Sequence, residues 1–166
     1  MTKIGNINLS INLIDNGSHS AFLFIHGLQS RKETFDIYLK NFSPKTKRSL
    51  ISLDLIGFGQ SDKPENFGYD LLDQVNKIKE LLYELEIKDL IIIGHSYGGM
   101  IGTKLIQCED LEIKSIINLE GNLVEEDCGE SINVANMTFG KFQDYFELLK
   151  GELVDSVNKS DIFRGE

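Results

Sequence analysis

Cysteine is scarce in this chain: Cys108 and Cys128 are the two among 166 residues, and they form no C-x-x-C pair. That excludes a cysteine zinc site or a disulfide framework, and it fits a reducing compartment. Basic charge is short too, with 17 Lys and Arg against 26 Asp and Glu for a formal net charge of −9. Nucleic acid is held through clustered Lys and Arg, so that class of partner is set aside. Long apolar runs are missing. The longest, Ala21 to Ile25 and Leu90 to Ile93, fall far below a membrane span, and Met1 to Ile7 contain no leader-like apolar core. A soluble, cytoplasmic chain is the expectation, with no internal repeat and no low-complexity segment. What is present is ordinary: 41% hydrophobic and 26% charged residues, enough to bury one core.

Between Ile4 and Leu13, the apolar residues Ile7, Leu9, Ile11 and Leu13 alternate with polar ones, as in a half-buried strand or a short hairpin. Later runs differ. Ala21 to Ile25, Ser49 to Leu53, Leu90 to Ile93 and Ile113 to Leu119 are short and mostly continuous, as expected for parallel strands covered on both faces. Ser30-Arg31-Lys32-Glu33 matches a capping box ahead of Phe35, Leu39 and Phe42 at helical spacing. A second helix is expected from about Asp70, with Leu71, Val75, Ile78, Leu82 and Leu85 in one stripe, and a third over Gly98 to Gln107. Strands alternating with helices predict an α/β fold, a mostly parallel sheet with helices on both faces. Residues 121–136 read as acidic and irregular, with Glu125-Glu126-Asp127 as solvated surface. Phe139, Phe142, Phe146 and Leu149 suggest an amphipathic helix ending before Gly151.

Three segments carry chemistry. Gly94-His95-Ser96-Tyr97-Gly98-Gly99 follows the strand Leu90 to Ile93 and precedes a helical stretch, which is the context a nucleophile elbow needs. Small residues two before and two after the serine let the chain turn sharply, so Ser96 is pushed outward. The helix N-terminus behind it favours an oxyanion and presents the Tyr97 amide. A glycine-rich strand-to-helix turn is the plain alternative. His26-Gly27 stands directly after Ala21 to Ile25, where a sharp turn at Gly27 brings the Leu28 amide toward Ser96, while the His26 ring reads as a satisfied structural histidine. Asp54-Leu55-Ile56-Gly57-Phe58-Gly59-Gln60-Ser61 is not a phosphate cradle, because Asp62 holds the place of the third glycine and no Gly-Lys-Ser/Thr follows. Its glycines shape a tight loop beside the site.

Together, in this order and near these spacings, the three segments resemble the N-terminal half of α/β-hydrolase fold enzymes over about Ile4 to Asn122. The resemblance implies Ser96 as nucleophile and the amides of Leu28 and Tyr97 as oxyanion hole, with Gly27, Gly94 and Gly98 as the glycines that shape them. A serine at the elbow points to an ester, thioester or amide of a small molecule, cleaved through an acyl-enzyme, because dehalogenases and epoxide hydrolases of this superfamily typically place an aspartate there. No metal or organic cofactor is called for. On this pattern residues 1–123 form part of the core, and 124–166 begin a cap, whose Phe139, Phe142, Tyr145 and Phe146 either line an apolar pocket or pack the helix onto the core.

The family's triad runs Ser, then Asp or Glu, then His. Here His19, His26 and His95 all precede Ser96. Glu120, after the strand Ile113 to Leu119, is the one candidate acid, against the plain reading of an exposed strand-end charge. A full core would need roughly another hundred residues, so a shortened hydrolase is the expectation. A non-catalytic small-ligand-binding or degenerate hydrolase-like protein is the alternative. A sheet lacking its last strands would also leave an edge for self-association or for pairing with another polypeptide.

Overall fold

The alternating segment at the start resolves into both forms it suggested. β1 (Thr2–Ile4) and β2 (Ile7–Leu9) make an antiparallel hairpin that turns at Gly5, whose φ of 59° suits a residue without Cβ. β3 (Ile11–Ile14) then leaves it to pair antiparallel with β5 (Ser49–Leu53). The computed structural model describes the backbone of residues 1–162, in two compact units: Met1–Leu123, and the segment from Val124 onward.

The first unit is built on a five-stranded sheet. β4 (Ser20–Ile25) lies at its centre, flanked by β5 and β6 (Asp89–His95), and β7 (Glu112–Leu119) lies beyond β6. The order is β3-β5-β4-β6-β7, and every pairing except that of β3 is parallel. Successive side chains alternate between the two faces. Leu23, Ile25, Ile51, Leu53, Leu90 and Ile92 belong to a core shared with α2 (Leu71–Glu84) and α3 (Tyr97–Leu105). Phe24 and Leu50 instead meet Phe35 and Leu39, the latter on α1 (Asp36–Phe42). Helices therefore cover both faces, and each fully buried Leu or Ile contributes about 1.5–3 kcal/mol.

β7 departs from the expectation of cover on both faces. Ile113 and Ile116 pack into the core beside α3, but Ile117 is 49% and Leu119 42% exposed. β7 is an edge strand, and the layer containing Phe35 and Leu39 lies over β4 and β5 instead.

The capping box does not form. A 3₁₀ turn (Lys32–Phe35) precedes α1, and neither carries a side-chain cap. The Ser30 hydroxyl meets Thr34 Oγ1 at 2.8 Å, and the Glu33 carboxylate is taken by Lys32. Asp70, by contrast, caps α2 by accepting from the Asp73 amide at 2.8 Å.

In the second unit, the stretch expected to be irregular contains a 3₁₀ turn (Glu125–Cys128) and α4 (Gly129–Ala135). Glu126 and Asp127 are exposed there. α5 (Phe139–Ile162) runs through Gly151 instead of ending before it. One interior glycine costs only about 1 kcal/mol relative to alanine, and Gly151 lies between long flanking stretches of helix. The Phe142 and Phe146 rings stack at 6.0 Å, as their four-residue spacing allows. Among the described residues, no helix is long and apolar enough to cross a membrane.

Candidate active site

β6 ends at His95 and α3 begins at Tyr97, so Ser96 alone makes the turn between strand and helix. It does so at φ 51° and ψ −119°, a strained conformation for a residue with a side chain. The elbow is held on both sides. The Ser96 amide donates to the Leu119 carbonyl at 2.8 Å, and its own carbonyl accepts from the Gly99 amide at 2.8 Å.

The glycines are there because nothing larger fits. A Cβ on Gly94 would strike the Gly98 carbonyl, and one on Gly98 would strike the carbonyl of Ile25. At Gly27 the obstruction is the elbow itself, since a Cβ would come within 2.9 Å of Ser96 Cβ and 3.0 Å of His95 Nδ1. The loop after β4 thus lies directly against Ser96. The Leu28 and Tyr97 amides bond no carbonyl or side chain among the described residues, and neither does the Ser96 hydroxyl.

His26 is fully buried and saturated. Its Nε2 accepts from the Leu55 amide at 3.0 Å, and its Nδ1 lies 2.7 Å from the Gly27 carbonyl. Burial lowers its pKa below the ordinary value, outweighing the bond to Gly27 and the nearby carboxylates. A ring that accepts at one nitrogen and donates at the other is neutral, which agrees with a structural histidine.

The Asp54 loop is equally tied down. The Asp54 carboxylate accepts from the Lys32 amide at 2.7 Å, the Gln60 amide at 2.9 Å and the Lys32 ammonium at 3.1 Å. Burial pushes this carboxyl up, but the two amides and the ammonium more than offset it, so the group sits below the usual range. Gly59, at φ 49°, leaves room for it. Sequence reasoning missed Lys32, which is 4% exposed, because its partner lies 22 positions away. It also missed Gln74, whose amide bonds both the N–H and C=O of Ile56 and which lies inside the apolar stripe of α2. A polar residue interrupting that stripe was the available signal.

Beside the elbow, Leu28, Phe58, Lys63, Tyr69 and Tyr97 help line a cavity of about 270 Å³. Tyr69 holds φ 60° while its ring packs on Gly57 and its hydroxyl donates to the Pro64 carbonyl. Lys63 donates to the Gly59 carbonyl at 2.9 Å. Glu120 stands at the C-terminal end of β7, 86% exposed, with its carboxylate 3.5 Å from His95 Nε2. His19 lies at the opposite end of the sheet, beside Ser20 and Asp89, with its ring bonded to the Glu86 carbonyl. No group of three or more His, Cys, Asp or Glu among the described residues is arranged to hold a metal ion.

The sequence profile of the alpha/beta hydrolase fold matches residues 20–154. The chain belongs to the α/β-hydrolase family. Among curated relatives, the AB hydrolase superfamily protein YisY of Bacillus subtilis is 32% identical over 106 residues, covering 63% of this chain and 39% of that protein. A 2-(acetamidomethylene)succinate hydrolase of Mesorhizobium japonicum is 35% identical over 91 residues, 55% of this chain and 32% of its own. The chain thus spans less than two-fifths of each. Among solved structures, an esterase from Exiguobacterium antarcticum superposes with a TM-score of 0.62 at 22% identity, over 69% of this chain and 42% of that one. An epoxide hydrolase from Vigna radiata does so at 0.66 and 19%, over 74% and 38%. Both likenesses are of the fold.

Proposed function

We propose that this α/β hydrolase supplies the nucleophile and oxyanion donors of a serine hydrolase acting on an ester, thioester or amide of a small molecule. The carrying observation is Ser96 alone at the turn from β6 to α3, strained at φ 51° and packed against Gly27. Ser96 Oγ attacks the acyl carbon, and the Leu28 and Tyr97 amides receive the developing oxyanion. The alcohol, thiol or amine leaves with a proton, and water later cleaves the acyl-enzyme. An aspartate, the other common elbow nucleophile, is not at this position, which favours acyl transfer over epoxide opening. Gly27, Gly94 and Gly98 shape the site, and the cavity lined by Leu28 and Tyr97 is the candidate place for the substrate's apolar part. Glu120 is the candidate acid, at the strand end where an acid can orient a base.

The base is what residues 1–166 do not offer in the family's order. Losing the triad histidine leaves about 10³–10⁴-fold catalysis over water, from the oxyanion hole and binding. The chain on its own is therefore expected to release p-nitrophenolate from p-nitrophenyl acetate slowly, as about one equivalent per Ser96 above a slow background that Ser96→Ala retains. Absence of any Ser96-dependent equivalent would overturn the assignment. The Ser96 hydroxyl, without a partner among the described residues, also favours a second reading, a hydrolase-like protein that binds small ligands without turnover. Saturable ligand binding with no Ser96-dependent release would select that one.

A further inference from the structure

The cavity beside the elbow is apolar in most of its lining, and its few polar side chains are nearly all spent. Leu28 and Phe58 present carbon to it. Gln74 uses both ends of its amide on the N–H and C=O of Ile56. The Tyr69 hydroxyl donates to the Pro64 carbonyl at 2.9 Å. Lys63 is exposed, and its ammonium donates to the Gly59 and Ser61 carbonyls at 2.9 and 3.4 Å. The Tyr97 hydroxyl, by contrast, bonds no group among the described residues.

That hydroxyl is anchored in place and neutral in charge. Tyr97 is half-buried at the start of α3 with its ring packed on the main core, and Gly98 behind it is pressed against the Ile25 carbonyl. Burial raises the pKa of the phenol, and the Asp70 and Asp73 carboxylates raise it further, so the group is a protonated donor at neutral pH. The same two carboxylates make its surroundings negative, which disfavours an anionic acceptor and leaves a neutral oxygen as the fitting partner. A chain entering the cavity displaces water from this hydroxyl. An all-carbon chain then leaves the donor unmet, whereas a chain with a suitably placed oxygen restores the bond.

We propose that Tyr97 Oη is a specificity determinant of this site, selecting an acyl chain that carries a neutral acceptor oxygen over an all-carbon chain of equal length. An ether, ketone, alcohol or ester oxygen meets that description. The proposal rests on the reading of Ser96 as nucleophile and deepens it by naming the substrate class. Tyr97 then serves twice, its amide at the acyl carbon and its hydroxyl along the chain. Because the two groups stand at opposite ends of one residue, the recognised oxygen lies several bonds from the acyl carbon. At about 30 Å³ for each water in the liquid, a cavity of about 270 Å³ has room for roughly nine waters, enough for a chain of six heavy atoms.

The test exchanges one methylene for oxygen. p-Nitrophenyl hexanoate, 3-ethoxypropanoate and 4-methoxybutanoate carry six-atom chains that differ only in that exchange, and the rate of the Ser96-dependent p-nitrophenolate burst is measured for wild type and Tyr97→Phe. The ratio of ether-ester to hexanoate rates is expected to fall about threefold to tenfold in Tyr97→Phe for at least one ether, the worth of one neutral hydrogen bond. A ratio unchanged for both ethers would overturn the proposal, since a tyrosine that only packs affects all three esters alike. So would a faster reaction of the p-nitrophenyl monoester of adipic acid that Lys63→Met removes, because recognition would then lie with the cation. If wild type shows no Ser96-dependent burst, the nucleophile reading fails. NMR titration of Ser96→Ala with the three corresponding ethyl esters then decides the role of Tyr97 by itself: adding Tyr97→Phe is expected to weaken ether binding relative to hexanoate, and an unchanged ratio would overturn it.

Discussion

Ser96 is costly to hold. Its backbone lies in a region that side chains avoid, and such strain persists only where the surroundings enforce it. Here the enforcement is local and steric: Gly94 and Gly98 pass so close to other backbone that any Cβ would collide. Asp54 is held by a different means, through charge. It is fully buried against the Lys32 ammonium, so removing it takes away the buried counter-charge of Lys32 and leaves only the more exposed Glu33 carboxylate. Asp54→Ala is expected to cost about 3–5 kcal/mol in denaturant unfolding at neutral pH. The acid dependence follows the same sign. Because the folded pKa lies below the unfolded value, Asp54 contributes stability above about pH 3.9, and that contribution is lost as pH falls through the folded value. Acid unfolding of Asp54→Asn compared with wild type checks it, and an unchanged acid limb would contradict it. The elbow residues were legible in the sequence because a run of six specifies the turn. The Asp54–Lys32 pair was not, since the two stand 22 positions apart and nothing between them announces which lysine is buried.

At the scale of elements, the sequence-based reading was best where one periodicity dominated. The α2 stripe and its start near Asp70 were both legible, and so was the strand-to-helix alternation, because continuous apolar runs bounded by turns have few other uses. It failed where local rules competed with tertiary partners. Ser30 and Glu33 match a capping box, but Glu33 is drawn to Lys32, which itself is drawn to Asp54. The two caps therefore predict opposite outcomes. Asp70→Ala is expected to lower stability by about 1 kcal/mol, while Ser30→Ala should stay within about 0.5 kcal/mol. Thermal unfolding of the two variants is the check, and a Ser30→Ala loss equal to that of Asp70→Ala would restore the capping box. The persistence of α5 through Gly151 has the same lesson, since glycine is a weak stop signal without a competing turn.

For the whole molecule, the informative surface is the far side of β7. No strand pairs with its outer edge among the described residues, and Ile117 and Leu119 stand exposed on one face. Unpaired edges recruit further strands. Self-association through this edge is accordingly expected despite the net charge of −9, seen as a concentration-dependent rise in weight-average mass by sedimentation equilibrium that Ile117→Lys suppresses. A monomer at every concentration would remove that expectation. The strand order and the site share one logic, because the parallel strands deliver Gly27, Ser96 and Glu120 to the same end of the sheet.

The central claim is that Ser96 forms the acyl-enzyme, and peptide mapping by mass spectrometry after reaction with p-nitrophenyl acetate tests it most directly. The acetyl group is expected on the peptide containing Ser96, long-lived because no base in the usual position drives deacylation, and absent from Ser96→Ala. Acetylation confined to lysines, with the Ser96 peptide unmodified, would contradict the assignment.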